Sequence, residues 1–228
     1  IGTGSGAVTK VGAGTLTLSG ANTYGGATTV NAGTLAVSGS GTLGNTGSLL
    51  TISSATVDLQ VGVTVGSLLM SGTNPSITNS TGTSSLTVNG TSTLANSVTT
   101  SGAQTYTGAV TLGANTSLTS TNAGNIGFGA TVQGALTLTT STTGDTTFAG
   151  AVGGTTALTE LTVSTGTFSA AAISLATGSA LSITNSGAGT ISGVIAGSGV
   201  TLTKAGAGTL TLSGANTYGG ATTINAGT

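Results

Sequence analysis

The sequence predicts an all-β protein wound as a parallel β-helix, that is, a β-solenoid. Three observations support this prediction. Apolar and polar residues alternate in short runs, aromatic residues recur every 20 to 22 positions, and one long motif occurs twice. The alternation indicates the secondary structure, the aromatic interval indicates the length of a coil, and the motif indicates how the chain is organised.

The alternation has a period of two residues, which is the period of a strand with one buried face. It is seen in residues 15–18, 57–61, 136–138 and 200–203. Each run is short and is bounded by Gly, Asn or Ser, which favour turns. No stretch shows the 3.6-residue period of a helix, and Gly and Thr are poor helix formers. The chain is therefore expected to be all-β.

Aromatic side chains recur at the interval expected for one coil of a solenoid. The four central ones stand at positions 106, 128, 148 and 168. An interval of this size, made of short strands, predicts roughly ten coils of about 20–22 residues. Two tyrosines open similar segments, so we expect all six aromatic residues to form a structural coil ladder. They are Tyr24, Tyr106, Phe128, Phe148, Phe168 and Tyr218.

A β-sandwich array is the main alternative, because it also has short strands at regular spacing. Sandwich repeats are nearer about 100 residues, however, and rarely show self-similarity at about 20. The aromatic interval therefore favours the solenoid.

A long motif occurs twice in the chain. GAGTLTLSGANTYGGATTVNAGT at residues 12–34 returns at residues 206–228 with a single change, Val30 to Ile224. We interpret residues 1–228 as a single continuous solenoid, in which 1–194 are one long repeat unit and 195–228 begin the next copy. Such an array is typical of a fibre or stalk, and we expect it to continue covalently or to stack end to end with other copies.

The charged residues are few, and their positions can be predicted from the alternation. Two of the acids, Asp58 and Glu160, are out of phase with buried neighbours and should face solvent, whereas Asp145 should lie in a turn. Lys204 is in phase with buried neighbours and precedes a Gly-Ala-Gly corner, and Lys10 holds the equivalent place in the first copy. We expect the stems of these two corner lysines to pack while their amines emerge at the turn. Scarcity of charge is itself expected of stacked coils, because a column of like charges would be destabilising.

The composition argues against most chemistry. The chain has no Cys, His or Arg, so most acid–base, nucleophilic and zinc sites lack their residues. Adjacent coils could bring Asp145 and Glu160 together as a glycosidase pair, but one turn residue and one solvated strand residue is the simpler interpretation. We expect no enzyme and no catalytic, cofactor or metal site. Two lysines cannot neutralise a nucleic-acid backbone, and no apolar run is long enough to insert into a membrane.

The duplicated motif resembles a known family. Residues 12–35 and 206–228 are similar to the autotransporter-associated β-strand repeat of bacterial secreted passenger domains. The middle of the chain, including AVGGTTALTELTVSTG at 151–166, resembles repeats of large haemagglutinin-like and adhesin-like bacterial surface proteins. The resemblance implies a right-handed parallel β-helix that is extracellular and displayed on the bacterial cell surface.

Two functions are expected on this basis. The first is a structural component of a bacterial extracellular fibre, filament or stalk, whose partner is another copy of itself. The alternative is an adhesin passenger segment that binds host or cell-surface glycans. Uniform Thr and Ser faces favour the first, because the second requires an insertion or an exposed aromatic cluster that the sequence does not show.

Overall fold

The chain is a stack of parallel β-strands without any helix. A computed structural model describes all residues, 1–228, and every pairing between its strands is parallel. The prediction of an all-β parallel solenoid of about ten coils is confirmed. The structure contains no helix that could cross a membrane. The strands, in chain order, are β1 (Val8–Lys10), β2 (Thr15–Leu18), β3 (Thr28–Val30), β4 (Thr34–Val37), β5 (Leu49–Ser53), β6 (Thr56–Leu59), β7 (Val63–Val65), β8 (Ser67–Ser71), β9 (Ser76–Thr78), β10 (Leu86–Val88), β11 (Ser92–Thr100), β12 (Gln104–Tyr106), β13 (Val110–Ser120), β14 (Ile126–Phe128), β15 (Val132–Gln133), β16 (Thr137–Ser141), β17 (Thr146–Phe148), β18 (Leu158–Thr165), β19 (Phe168–Ala170), β20 (Ile173–Asn185), β21 (Gly189–Ile191), β22 (Ile195–Ala196), β23 (Thr201–Ala205), β24 (Leu210–Leu212) and β25 (Thr222–Ile224).

The strands form three ladders, which are the three faces of the solenoid. The first face contains β1, β3, β5, β8, β15 and β22 together with the first parts of β11, β13 and β20. The second contains β2, β4, β6, β9, β16, β18, β23 and β25 together with the second parts of those three long strands. The third contains β7, β10, β12, β14, β17, β19, β21 and β24. A coil therefore passes once through each face.

The core lies inside these three faces as columns of stacked side chains. On the second face Leu35, Val57, Ile77 and Val98 pair in register from coil to coil and are fully buried. Parallel pairing places equivalent residues of successive coils about 4.8 Å apart, so apolar residues in phase on each coil form a continuous apolar column. The columns join into one cluster of 43 buried residues.

Coil length varies more than the aromatic interval predicts. Val65 pairs with Val88, and Val88 pairs with Tyr106. The coil from Val65 to Val88 is therefore longer than the coil that follows it. The turns between the short strands absorb the difference, because they lie outside the paired ladders.

The aromatic residues form a shorter stack than the predicted ladder of six. Tyr106, Phe128 and Phe148 pair in register on the third face, with ring centroids 5.3 and 4.6 Å apart and nearly parallel planes. Phe168 pairs with Thr146, and its ring meets that of Phe148 edge-on at 6.2 Å and 72°. The register partner of Phe148 is Ala170, two positions beyond Phe168. The regular aromatic interval therefore leaves Phe168 out of register.

The two remaining tyrosines lie outside this stack and on different faces from each other. Tyr24 lies between second-face β2 and first-face β3, and its backbone pairs with Gly4. The backbone N–H of Tyr218 donates to the carbonyl of Ile195 on the first face. The prediction of a single ladder through Tyr24 and Tyr218 is therefore wrong.

The two copies of the motif lie on different faces of the solenoid. Lys10 is in β1 on the first face, whereas Lys204 is in β23 on the second face. Along the first face, β22 lies nine pairing steps after β1, and β23 follows on the next face. The offset between the copies thus corresponds to nine coils and one further face. The division into a unit of residues 1–194 and a second unit from 195 stays a prediction.

Candidate functional site at the motif corners

Two residues before each motif copy, a lysine lies within the wall of the apolar core. Lys10 is 7 % exposed and Lys204 is 1 % exposed. Lys204 pairs in register with Ile183 on one side and Ile224 on the other. Its methylene stem therefore occupies a place that aliphatic side chains occupy in the neighbouring coils.

The ammonium of Lys10 is held by three backbone carbonyls. Its Nζ donates to the carbonyl oxygens of Val11 at 2.9 Å, Gly12 at 2.6 Å and Ala32 at 3.0 Å. The first two belong to the corner that follows β1, and the third belongs to the corner of the next coil. Gly12 has a φ of 74°, a left-handed conformation that glycine adopts without steric cost.

Lys204 repeats this arrangement on another face. Its Nζ donates to the carbonyl oxygens of Ala205 at 2.7 Å, Gly206 at 2.8 Å and Ala226 at 3.3 Å. We call each lysine with its three carbonyls a lysine clasp. Burial away from water lowers the pKa of Lys204, because the charged form loses hydration.

The expectation that the amines emerge at the turn is therefore wrong. An ammonium has three N–H donors and must find three acceptors if it is withdrawn from water. The corner carbonyls of two successive coils supply all three for Lys10 and for Lys204. The clasp consequently joins one coil to the next without any carboxylate partner.

Each motif also carries a tyrosine that is bonded to a threonine four residues later. The hydroxyls of Tyr24 and Thr28 are 2.6 Å apart, and those of Tyr218 and Thr222 are 2.8 Å apart. Burial raises the pKa of Tyr24, and the hydrogen bond with Thr28 opposes this in part. The pair spans the approach to β3 in the first copy and to β25 in the second, so it fixes the same turn in both.

Asp58 is covered rather than solvated, which corrects the prediction from its phase. It is 7 % exposed and accepts hydrogen bonds from Gln60 Nε2 at 2.7 Å and from the side chain and backbone of Ser80 at 2.6 and 2.8 Å. Desolvation by itself raises the pKa of Asp58, but these hydrogen bonds, with a weaker one from Thr78, outweigh it and lower the pKa. The carboxylate thus joins two coils as an acceptor.

The other two acids lie on different faces. Asp145 precedes third-face β17, where its backbone N–H donates to Asn125 Oδ1 at 2.9 Å and its carboxylate accepts from Thr167 Oγ1 at 2.6 Å. Glu160 is in second-face β18 and accepts from Thr162 Oγ1 at 3.2 Å. Both carboxylates are thus engaged by neighbouring polar groups, and no group of three His, Cys, Asp or Glu side chains could hold a metal ion.

Two recesses on the third face are lined by neutral groups. A cavity of about 150 Å³ includes the threonines Thr42, Thr46 and Thr64. A shallower groove of about 260 Å³ lies where Gly127 interrupts a column of outward threonines between Thr105 and Thr147. Neither recess is lined by an ionisable side chain, so an occupant would meet hydroxyl groups, backbone groups and apolar surface but no charge.

The last coil exposes apolar side chains. Ile224 is 60 % exposed in β25, and Leu210 and Leu212 of β24 are partly covered around a cleft of about 60 Å³. In the first motif copy the strand with the same sequence, β2, pairs in register with β4, with Leu16 opposite Leu35. This strand of the motif is therefore able to pair with an aliphatic strand of the following coil.

A buried polar network beside the aromatic stack is not among the features predicted from the sequence. Gln104 Nε2 donates to the carbonyls of Val98 and Thr119 at 3.1 and 2.9 Å, and Tyr106 OH donates to Gln104 Oε1 at 3.1 Å. Burial raises the pKa of Tyr106. The sequence does contain an indication of this network. Gln104 is two residues before Tyr106, so both side chains must point to the same side of the strand.

The geometry defines a parallel β-solenoid whose duplicated element is a clasped coil. Residues 8–37 and 202–228, a quarter of the chain, match the family model described as the passenger-associated-transport-repeat. The resemblance to an autotransporter-associated repeat is thereby confirmed. No curated protein and no solved structure matches the chain. A passenger repeat implies a secreted or cell-surface protein.

Proposed function

We propose that this chain is a non-catalytic structural segment of a bacterial surface passenger, in which stacked coils form a stiff extracellular stalk or fibre. The observation that carries the proposal is the set of three parallel ladders, which run through successive coils along the chain. At about 4.8 Å per coil, ten coils give a rod of about 48 Å. The segment supplies length and stiffness rather than a reactive site.

Hydrogen bonding supports a mechanical role. The chain contains 135 backbone–backbone hydrogen bonds, of which 73 lie within the strands. Parallel pairing aims these bonds along the fibre axis, from one coil to the next. Separating one coil from the next must therefore break all of the hydrogen bonds between them.

The last coil supports addition of further coils. No strand pairs with the outer edges of β24 and β25, which lie beside the apolar side chains of Leu212 and Ile224. Such an edge is a template for another strand. We propose that the next coil comes from another copy of the same repeat, in the same polypeptide or in a second molecule. This head-to-tail contact is heterologous and builds an open filament.

Electron microscopy and light scattering of the protein test this proposal. We expect rods of about 48 Å that add length in steps as the concentration rises. The variant Ile224→Lys, which places a charge on the open edge, should stay at the single length, whereas Thr147→Lys on the side of the rod should still associate. Compact particles without rod shape, or equal association of both variants, would contradict the proposal.

Glycan binding is the competing outcome. Saturation-transfer NMR with neutral oligosaccharides would detect it at the threonine-lined recesses of the third face. Specific binding that is lost on Thr46→Val, with no growth in rod length, would favour an adhesin segment over a stalk.

A further inference from the structure

We propose that the ammonium of each lysine clasp is the cation of a preformed carbonyl cage, and that the cage binds a free ammonium ion when the lysine nitrogen is removed. The cage of Lys10 consists of three carbonyl oxygens at 2.6–3.0 Å from Nζ. These are hydrogen-bond distances around a single point of positive charge. The ligand class is a primary ammonium or the ammonium ion itself.

The two clasps support this because they keep their geometry in different surroundings. Lys10 lies on the first face beside Val30, and Lys204 lies on the second face between Ile183 and Ile224. In both, two carbonyls come from the lysine's own corner and one comes from the corner of the next coil. The cage is therefore a property of the motif rather than of one face.

The carbonyls explain why a charge is needed as well as a stem. Three carbonyl dipoles converge on each Nζ, and their mutual repulsion is relieved only by a donor or a cation between them. An aliphatic residue in phase with the core would fill the column but would donate no hydrogen bond to these oxygens. We infer that the ammonium draws the corners of two coils together and so sets their register.

Methionine is the substitution that isolates the nitrogen. Its Cε reaches the place of the lysine Cε and stops one atom short of Nζ. Lys10→Met therefore keeps the buried stem and leaves a vacancy the size of one ammonium ion. Lys204→Met makes the same change on the second face and is an independent test.

Amide hydrogen exchange beside the third carbonyl is the readout. The N–H of Asn31 donates to the carbonyl of Lys10 at 2.9 Å, and the N–H of Thr34 donates to that of Gly14 at 3.2 Å. These amides flank Ala32. In Lys10→Met we expect their exchange to accelerate by about tenfold, while the amide of Thr107 in the middle of the solenoid keeps its rate.

Ammonium chloride should restore the slow exchange, whereas tetramethylammonium chloride at equal ionic strength should not, because it has no N–H donor. Unchanged exchange in Lys10→Met would overturn the proposal. So would a loss that ammonium does not reverse, or one that both salts reverse equally. The same three outcomes apply to Lys204→Met, read at the amide of Asn225, which donates to the carbonyl of Lys204.

Discussion

The hydroxyl of Thr140 is buried in an apolar column with no hydrogen-bond partner. Its neighbours in register are Leu118 on one coil and Val163 on the next. A buried hydroxyl without a partner costs about 1–3 kcal/mol. Valine has the same shape without the hydroxyl, so Thr140→Val should raise the free energy of unfolding by about 1–2 kcal/mol.

Thr142 provides a matched control two residues further along the chain. Its Oγ1 donates to the carbonyl of Gly124 at 2.7 Å and accepts from the backbone N–H of Gly144 at 2.9 Å. Thr142→Val removes the same atom but leaves two backbone groups unpaired. We expect it to lower the free energy of unfolding by about 2 kcal/mol.

Thermal and urea unfolding, followed by circular dichroism, measures both variants. In a domain of this size about 1 kcal/mol shifts the melting temperature by about 2–4 °C. The melting temperature should therefore rise for Thr140→Val and fall for Thr142→Val. If both variants shift in the same direction, or if Thr140→Val is the less stable of the two, the assignment of satisfied and unsatisfied hydroxyls is wrong.

Three further predictions concern the stack, the covered acid and the glycines. Phe128→Ala opens a cavity beside Phe148 and should cost about 3–5 kcal/mol in urea unfolding; a loss below about 1 kcal/mol would argue against a close-packed stack. The pKa of Asp58 is lowered in the folded chain, so its ionised carboxylate stabilises the fold above about pH 4, and this stabilisation is lost as the pH falls through the folded pKa. In unfolding midpoints measured below about pH 4, the wild type should therefore lose its advantage over Asp58→Asn. A difference that stays constant with pH would refute this. Gly127 has open space where a Cβ would lie, so Gly127→Thr should raise the free energy of unfolding by about 0.5–1 kcal/mol. Gly66→Ala places its Cβ against a backbone carbonyl of the preceding coil and should lower the free energy of unfolding by at least about 1 kcal/mol. Equal melting temperatures for these two variants would contradict the close packing of the coils.

The ladders could be predicted from the sequence because each strand carries its own signal. The alternation in residues 15–18 corresponds to β2, and that in residues 200–203 leads into β23. Register could not be predicted from spacing alone, because turns lengthen and shorten the coils. Phe168 shows this, since it lies opposite Thr146 while Ala170 takes the place opposite Phe148.

The position of each charged side chain could be predicted, but not its surroundings. The phase of Lys204 correctly placed its stem in the core wall. Its amine was misplaced because side-chain alternation carries no information on where corner carbonyls point. Asp58 was placed outward by its phase, yet Ser80 from the next coil covers it. Contacts between coils connect residues that are a whole coil apart in the sequence, so the pattern of neighbouring residues does not predict them.

The placement of the two motif copies shows what the motif specifies. A motif that encoded one face would have to return after a whole number of coils, yet Lys10 and Lys204 lie on different faces. The bonds that the copies share are a clasped corner and a tyrosine–threonine pair. These bonds depend on one coil and the start of the next, and not on the face. Since all three faces present apolar columns inward, a coil that carries its own corner can begin on any of them.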